Sequence, residues 1–259
     1  MEQKINTKFA ILATAILLLV SFPHAIKATD NPNSKSFQLG LTFSPNINWT
    51  KQSQGPMFPN GSKLGYSWGF MADFNLNKNK QNYFLNFEFL STRVFNKIRL
   101  KEDGTVFTRK NNTSSFDQVD LTYNINYIEV PIALKLKFNE IGYVTWFAQI
   151  GITPSVLYSS KAKWTGVVSN STDEVSVEYY KNNRGEFDDN EFHNFSDDSK
   201  YYRFGTFLGA GMEYRFAGNT ALLASLRFNN GLSNFLNDKE DPRVKATNKF
   251  VALHVGLLF

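Results

Sequence analysis

Glu88, Glu129, Arg203 and Arg227 have the types and spacing to do chemistry with one another. Each takes a polar position in a segment whose alternate positions are apolar, so all four project to the same side of a sheet. A carboxylate and a guanidinium brought together out of water form charge-assisted, often bidentate hydrogen bonds. The chemistry expected of the four is therefore pairing across an interior. Such pairing neutralises each charge and fills space, a structural role.

Other candidates are few. His254 takes a polar, interior-facing position in the last segment, His193 lies in an acidic stretch and His24 near the N-terminus. No Ser, His and acid group by spacing, and neither a Gly-rich phosphate loop nor a metal-ligand spacing occurs. Asp188, Asp189, Glu191, Asp197 and Asp198 lie close together. Hard cations take carboxylate oxygens, but this is not EF-hand spacing, and a solvated acidic loop accounts for it. The chain has no cysteine, which excludes disulfides, thiolate metal sites, a Cys nucleophile and a lipid-modified Cys anchor. The net charge of +5 is not gathered into a basic run with interleaved aromatics, so nucleic acid is not an expected partner. No catalytic residue, metal or cofactor is expected, and the chain reads as non-enzymatic.

The elements that must hold these residues are strands. Phe alone supplies 25 of the 259 residues, and aromatic and β-branched residues suit a pleated surface. Eight segments carry apolar residues at every second position: 37–43, 66–76, 83–89, 128–138, 144–152, 202–216, 222–228 and 251–259. Charged residues make up 20% of the chain, yet none falls on the apolar face of these segments. That is the pattern expected where a charge at the bilayer midplane costs about 2–4 kcal/mol. The other face carries Asp73, Glu88, Glu129, Lys135, Lys137, Arg203, Glu213, Arg215 and Arg227 among glycines.

Connections alternate as strictly. Residues 77–82, 139–142 and 217–219 are short turns, whereas 47–64, 96–124, 157–200 and 231–247 are long. The expected fold is all-β: an eight-stranded antiparallel transmembrane up-and-down β-barrel with strands of about ten residues, tight periplasmic turns and long external loops. Lys4 and Lys8 precede an apolar run from Phe9 to Phe22 and small residues at Ala25 and Ala28. Residues 1–28 thus read as a secretory signal peptide, cleaved at about 25–28, because the run is shorter than the ~20 residues that span a bilayer. Residues 29–36 would be a short periplasmic segment and 37–259 the barrel, in the outer membrane of a Gram-negative bacterium.

Val255, Leu257 and the terminal Phe259 end the chain as an alternating strand closing on an aromatic. This ending resembles the signature read by outer-membrane assembly machinery, which joins outer-membrane lipids as an expected partner. Phe74, Tyr83, Phe138, Tyr214 and Phe216 would form the lower aromatic girdle. Pro131 and Pro154 sit inside otherwise good strands, where proline removes a ladder hydrogen bond, so a bulge or register adjustment is expected at each. The structural rival is a soluble lipocalin-like barrel, which would turn the apolar face inward around a ligand and show its charges to water. The export signal without disulfides, the one-sided loop lengths and the aromatic terminus all favour the membrane.

The segment Tyr127-Ile128-Glu129-Val130-Pro131-Ile132-Ala133-Leu134-Lys135-Leu136-Lys137-Phe138 is similar to one in the PorT-like outer-membrane β-barrel proteins of Bacteroidota. Gly209-Ala210-Gly211-Met212-Glu213-Tyr214 resembles that family's Gly-x-Gly-x-Glu-Tyr strand, and Arg227 to Asn234 its Arg-aromatic-x-x-Gly-Leu-x-Asn stretch. The likeness spans about Phe37 to Phe259 and implies a barrel with Pro131 as a family feature. One namesake member is associated with a protein-secretion system, but the long loops here carry no feature matching that role. An eight-stranded barrel is just wide enough for side chains to fill it. The expected function is a non-enzymatic barrel with a filled polar lumen, whose loops contact a surface or secretion-system protein. A small channel and an outer-membrane enzyme are the alternatives.

Overall fold

The computed structural model describes residues 37–54, 57–77, 82–101, 108–109, 118–167, 174–178, 193–194, 196, 199–218, 220–235 and 245–259. The expected signal peptide and periplasmic segment (residues 1–36), His24 among them, and the acidic side chains between Asp188 and Asp198 lie outside them.

Eight long strands close into one ring. They are β1 (Phe37–Gln54), β2 (Lys63–Asn75), β3 (Tyr83–Lys101), β4 in two arms (Gln118–Glu129 and Ile132–Lys137) and β5 (Val144–Val167). β6 (Tyr202–Ala217), β7 (Thr220–Gly231) and β8 (Lys245–Leu258) complete it. Each strand pairs antiparallel with its predecessor, and β8 returns to β1. There the Phe259 N–H donates to the Leu39 carbonyl at 2.8 Å and the Leu39 N–H to Phe259 at 3.2 Å. Closure removes the free edge that hydrocarbon would penalise by several kcal/mol per unpaired backbone group. The short turns use Gly142 and Gly218, at φ of 67° and 52°, where an L side chain is strained.

The register sets the stagger. Directly opposed residues lead from Phe37 through Phe74, Leu85, Leu134, Ile150, Leu208, Phe228 and Val251 to Ile47, ten residues further along β1. A closed barrel with that offset tilts its strands by about 35–45°. Leu41, Phe70, Trp146, Ile150, Leu208 and Leu226 are among the exposed apolar side chains of the outer wall, while Glu88, Lys135 and Arg227 are buried inside. This overturns the soluble inside-out alternative. Tyr83, Phe138, Tyr214 and Phe216 are exposed near the periplasmic turns, as a girdle requires.

The strands run well beyond ten residues: β3 has 19 and β5 has 24, so much of the expected external loops is sheet. The reason is an inversion of the alternation. On β4 the odd residues Leu121, Tyr123, Ile125 and Tyr127 are fully buried in the interior. From Ile128 onward the even residues Val130, Ile132 and Leu134 carry the apolar outer wall. Likewise Phe89 faces out on β3, whereas Val94 and Ile98, further up, face in. Below the switch the outside is hydrocarbon; above it the outside is water, and the apolar side chains turn inward to form a core with Phe235, Leu157 and Ala246.

The prolines behave differently from expectation. β4 breaks at Val130 and Pro131, but its register with β3 and β5 is the same on both sides of the gap. The Pro131 carbonyl accepts from the Glu88 N–H and the Pro154 carbonyl from the Val130 N–H, both at 3.0 Å. These bonds hold alignment where the proline nitrogens cannot donate, so no bulge is needed. The β4–β5 register shift falls instead between Asn126 and Tyr127, opposite Tyr158.

Candidate functional site

The inner face is built in tiers. At the periplasmic end, Lys135 Nζ donates to Asp73 Oδ2 at 2.7 Å and Glu213 Oε1 at 2.6 Å. Lys137 Nζ donates to Glu213 Oε2 and Gln38 Oε1, each at 2.9 Å. Asn86 Nδ2 donates to Asp73 Oδ1 at 2.7 Å. Two acids face two ammonium groups, and the ammonium groups lie over the rings of Phe147 and Phe84 at 4.4 and 4.2 Å.

The middle tier joins opposite walls. Arg227 on β7 donates from Nη1 to Glu88 Oε2 at 2.7 Å and from Nη2 to Glu88 Oε1 at 2.5 Å, a bidentate fork. Gln149 completes the guanidinium's shell, for with its amide oxygen turned inward it accepts from Nε at 2.6 Å and Nη2 at 3.0 Å. Gly209 makes room: a Cβ there would stand 3.0 Å from Arg227 Cγ and 3.1 Å from Gln149 Cγ. Beside this pair His254 Nδ1 lies 2.6 Å from Ser44 Oγ, and its Nε2 lies 3.1 Å from Thr42 Oγ1 and 3.6 Å from Glu88 Oε1.

The third tier pairs Arg203 on β6 with Glu129 on β4. Thr92 Oγ1 donates to Glu129 Oε2 at 2.8 Å, and the Arg203 guanidinium stacks over Tyr127 at 4.2 Å. Higher still the network is uncharged: Tyr123 OH donates to Asn248 Oδ1 at 2.9 Å and meets Thr50 Oγ1 at 2.7 Å, while Asn96 Nδ2 donates to Thr50 Oγ1 at 2.6 Å.

Thus the four charges singled out in the sequence form two pairs, Glu88 with Arg227 and Glu129 with Arg203. Arg215 leaves the lumen for the periplasmic rim and pairs there with Glu140 at 2.9 Å. Sequence reasoning missed the Asp73, Lys135, Lys137 and Glu213 quartet as a unit, because alternation gives the face of a residue but not its height. It also missed the contact of Ser44 with His254, which lie 210 residues apart in the chain.

Two lumen cavities measure about 20 and 10 Å³, the size of a single water. One is lined by Ser44, Glu129, Arg227 and His254, the other by Thr153, Arg203 and Asn248. Among the described residues no three His, Cys, Asp or Glu side chains are grouped to hold a metal.

Residues 27–237 match the model of the family described as outer membrane protein β-barrel domain. The chain belongs to that family. As an outer-membrane barrel it resides in the outer membrane of a Gram-negative bacterium, which is the setting its Leu- and Phe-covered outer wall requires. Solved structures similar to this barrel include Neisserial surface protein A, at 16% identity over 86% of this chain and 96% of that one, with a TM-score of 0.42. Others are the attachment invasion locus protein Ail of Yersinia pestis, at 14% identity over 87% and 100% with a TM-score of 0.37, and OprG of Pseudomonas aeruginosa, at 8% over 89% and 99% with a TM-score of 0.40. No curated protein matches this chain.

Proposed function

We propose that this barrel is a non-conducting, non-enzymatic scaffold that presents its external connections to a surface, assembly or secretion-accessory partner. The observation that carries the reading is the Arg227–Glu88 fork, which joins opposite walls at mid-height with ion pairs below and above it. A permeating ion would have to part charged groups already satisfied by one another, and stripping a buried charge of its partner costs about 3–5 kcal/mol. Planar bilayers with the purified protein are expected to show no steady channels. Large, sustained conductance overturns the reading.

The enzymatic alternative has one feature to weigh, the 2.6 Å contact of Ser44 Oγ with His254 Nδ1. Glu88, the acid of that group, is engaged by Arg227, and the adjoining cavity of about 20 Å³ admits a water and no acyl group. A fluorophosphonate probe is expected to leave Ser44 unlabelled.

Within the family, the Tyr127–Phe138 segment supports assignment to the PorT-like proteins. The partner is reached by mild crosslinking in outer-membrane fractions: a recurring neighbour captured through the external connections supports the scaffold role, and capture of lipids alone counts against it.

A further inference from the structure

Between the Glu129–Arg203 pair and the uncharged network above it, the inner wall carries a notch. Thr153 on β5 is directly opposed to Gly205 on β6, and Gly205 to Gly231 on β7. On β8 the row continues to Asn248, whose carbonyl oxygen would stand 2.5 Å from a Cβ at Gly231. Two adjoining glycines thus leave a gap in a row of inward positions, and Thr153 and Asn248 flank it. The gap is the cavity of about 10 Å³ whose wall also includes Arg203, Asn229 and Phe250.

Three polar groups of the residues around this notch have no hydrogen-bond partner: Arg203 Nη1, Asn248 Nδ2 and Thr153 Oγ1. Their residues are only 6, 2 and 5% exposed, so bulk water does not satisfy them. The first two are held in place from behind. Glu129 engages Arg203 at Nη2, and the guanidinium lies 4.2 Å from the centre of the Tyr127 ring. The Asn248 oxygen accepts from Tyr123 OH at 2.9 Å and from Thr50 Oγ1 at 3.5 Å, which turns the amide nitrogen away from that network. A buried donor without an acceptor carries the full cost of its desolvation.

Guanidinium and amide nitrogens only donate, and a threonine hydroxyl can do so too. The set fits an acceptor, and it repels a cation. A water would accept from two of the groups and then need two acceptors of its own, of which the Thr153 hydroxyl supplies one. A monatomic anion accepts from all three, and Asn229 can turn its amide N–H to the same point. The cavity takes one atom of about water's size, which excludes phosphate, sulfate and organic acids.

We infer that the notch is a binding site for a single chloride ion, held by Arg203 Nη1, Thr153 Oγ1 and Asn248 Nδ2. This goes beyond the scaffold reading: the anion is a structural constituent enclosed by the wall, and its binding adds to the stability of the folded barrel.

Bromide substitution tests the site directly. The full-length protein, refolded and crystallised with bromide in place of chloride, is expected to give an anomalous difference peak in the notch within hydrogen-bond reach of the three groups. Density there without an anomalous signal is a water and overturns the assignment. In solution, urea unfolding in lipid vesicles is compared at matched ionic strength in chloride and in gluconate, which is too large for the cavity. The folded-to-unfolded ratio of the wild type is expected to be at least about threefold higher in ~0.3 M chloride. Asn248→Asp, which sets a carboxylate against the anion, and Thr153→Val are each expected to lose that dependence, whereas Arg215→Gln at the rim keeps it. A bromide peak with equal wild-type stability in the two salts marks an adventitious ion only and overturns the assignment, as does an unaltered chloride dependence in both notch variants. The bromide and salt comparisons are made on the wild type, so they decide the matter even if a variant fails to fold.

Discussion

Arg227 and Glu88 face one another from β7 and β3, four strands apart either way around a ring of eight, and close a two-pronged ion pair of 2.7 and 2.5 Å across the full lumen. Neither residue's neighbours in sequence hint at the other. The pair exists because stagger and closure bring their heights together.

Truncating one member strands the other in a dry interior. Glu88→Ala or Arg227→Ala is expected to lower stability by about 3–5 kcal/mol, whereas the double change to Met is expected to recover much of that loss. Urea unfolding in lipid vesicles measures both, and additive losses in the double variant would refute a coupled pair.

The outer wall makes a depth-dependent prediction. Leu226→Arg, at mid-height of the apolar belt, is expected to cost about 2–4 kcal/mol, and Tyr202→Arg, at the external boundary, about 0–1 kcal/mol. Equal costs at the two depths in the same unfolding assay would mean that lipid is not the surrounding medium.

Asp120 lies above the belt, buried beneath Lys97, Arg99 and Asn60. Burial acts to raise its pKa, but hydrogen bonds from Arg99 and Lys97 and their charges outweigh it and hold the carboxyl below its ordinary value. A carboxyl depressed in the folded state contributes stability above its unfolded pKa of about 4, and this is lost as pH falls through the folded value. Asp120→Asn is therefore expected to be less stable than wild type at pH 7, with the gap closing in strong acid. Melting curves from pH 7 downward report the convergence; a gap constant with pH would show that Asp120 is not held ionised by its partners.

The chain end closes the ring through Phe259, whose backbone exchanges two hydrogen bonds with Leu39. We propose that Val255, Leu257 and Phe259 also serve recognition by assembly machinery. Phe259→Ser is expected to slow insertion in cells severalfold while leaving the stability of the inserted barrel within about 1 kcal/mol. Pulse-chase folding gels separate the two effects, and an unaltered insertion rate would remove the recognition role.

How much of this was legible in the sequence follows from what surrounds each stretch. Lipid excludes charge from one face, so Leu222 to Phe228 and Val251 to Phe259 announce themselves by alternation. The upper arm of β4 was hidden because its environment reverses: Leu121, Tyr123, Ile125 and Tyr127 keep the odd parity of an inward core, and the phase slips by one at Ile128. That slip is visible once looked for, since two alternating runs abut out of step. Partner choice in the lumen was not visible. Lys135 and Lys137 share a face with Arg203 and Glu129, and only the ten-residue offset of the closed ring decides that the lysines meet Asp73 and Glu213.

The span between Glu88 and Arg227 also has a consequence for cooperativity. The two partners lie 139 residues apart in the chain and on strands at opposite sides of the ring, so their fork exists only once the whole wall has closed. A contact that gathers so long a stretch of chain couples the two halves of the sheet, and the barrel is expected to lose its structure as one unit and not hairpin by hairpin.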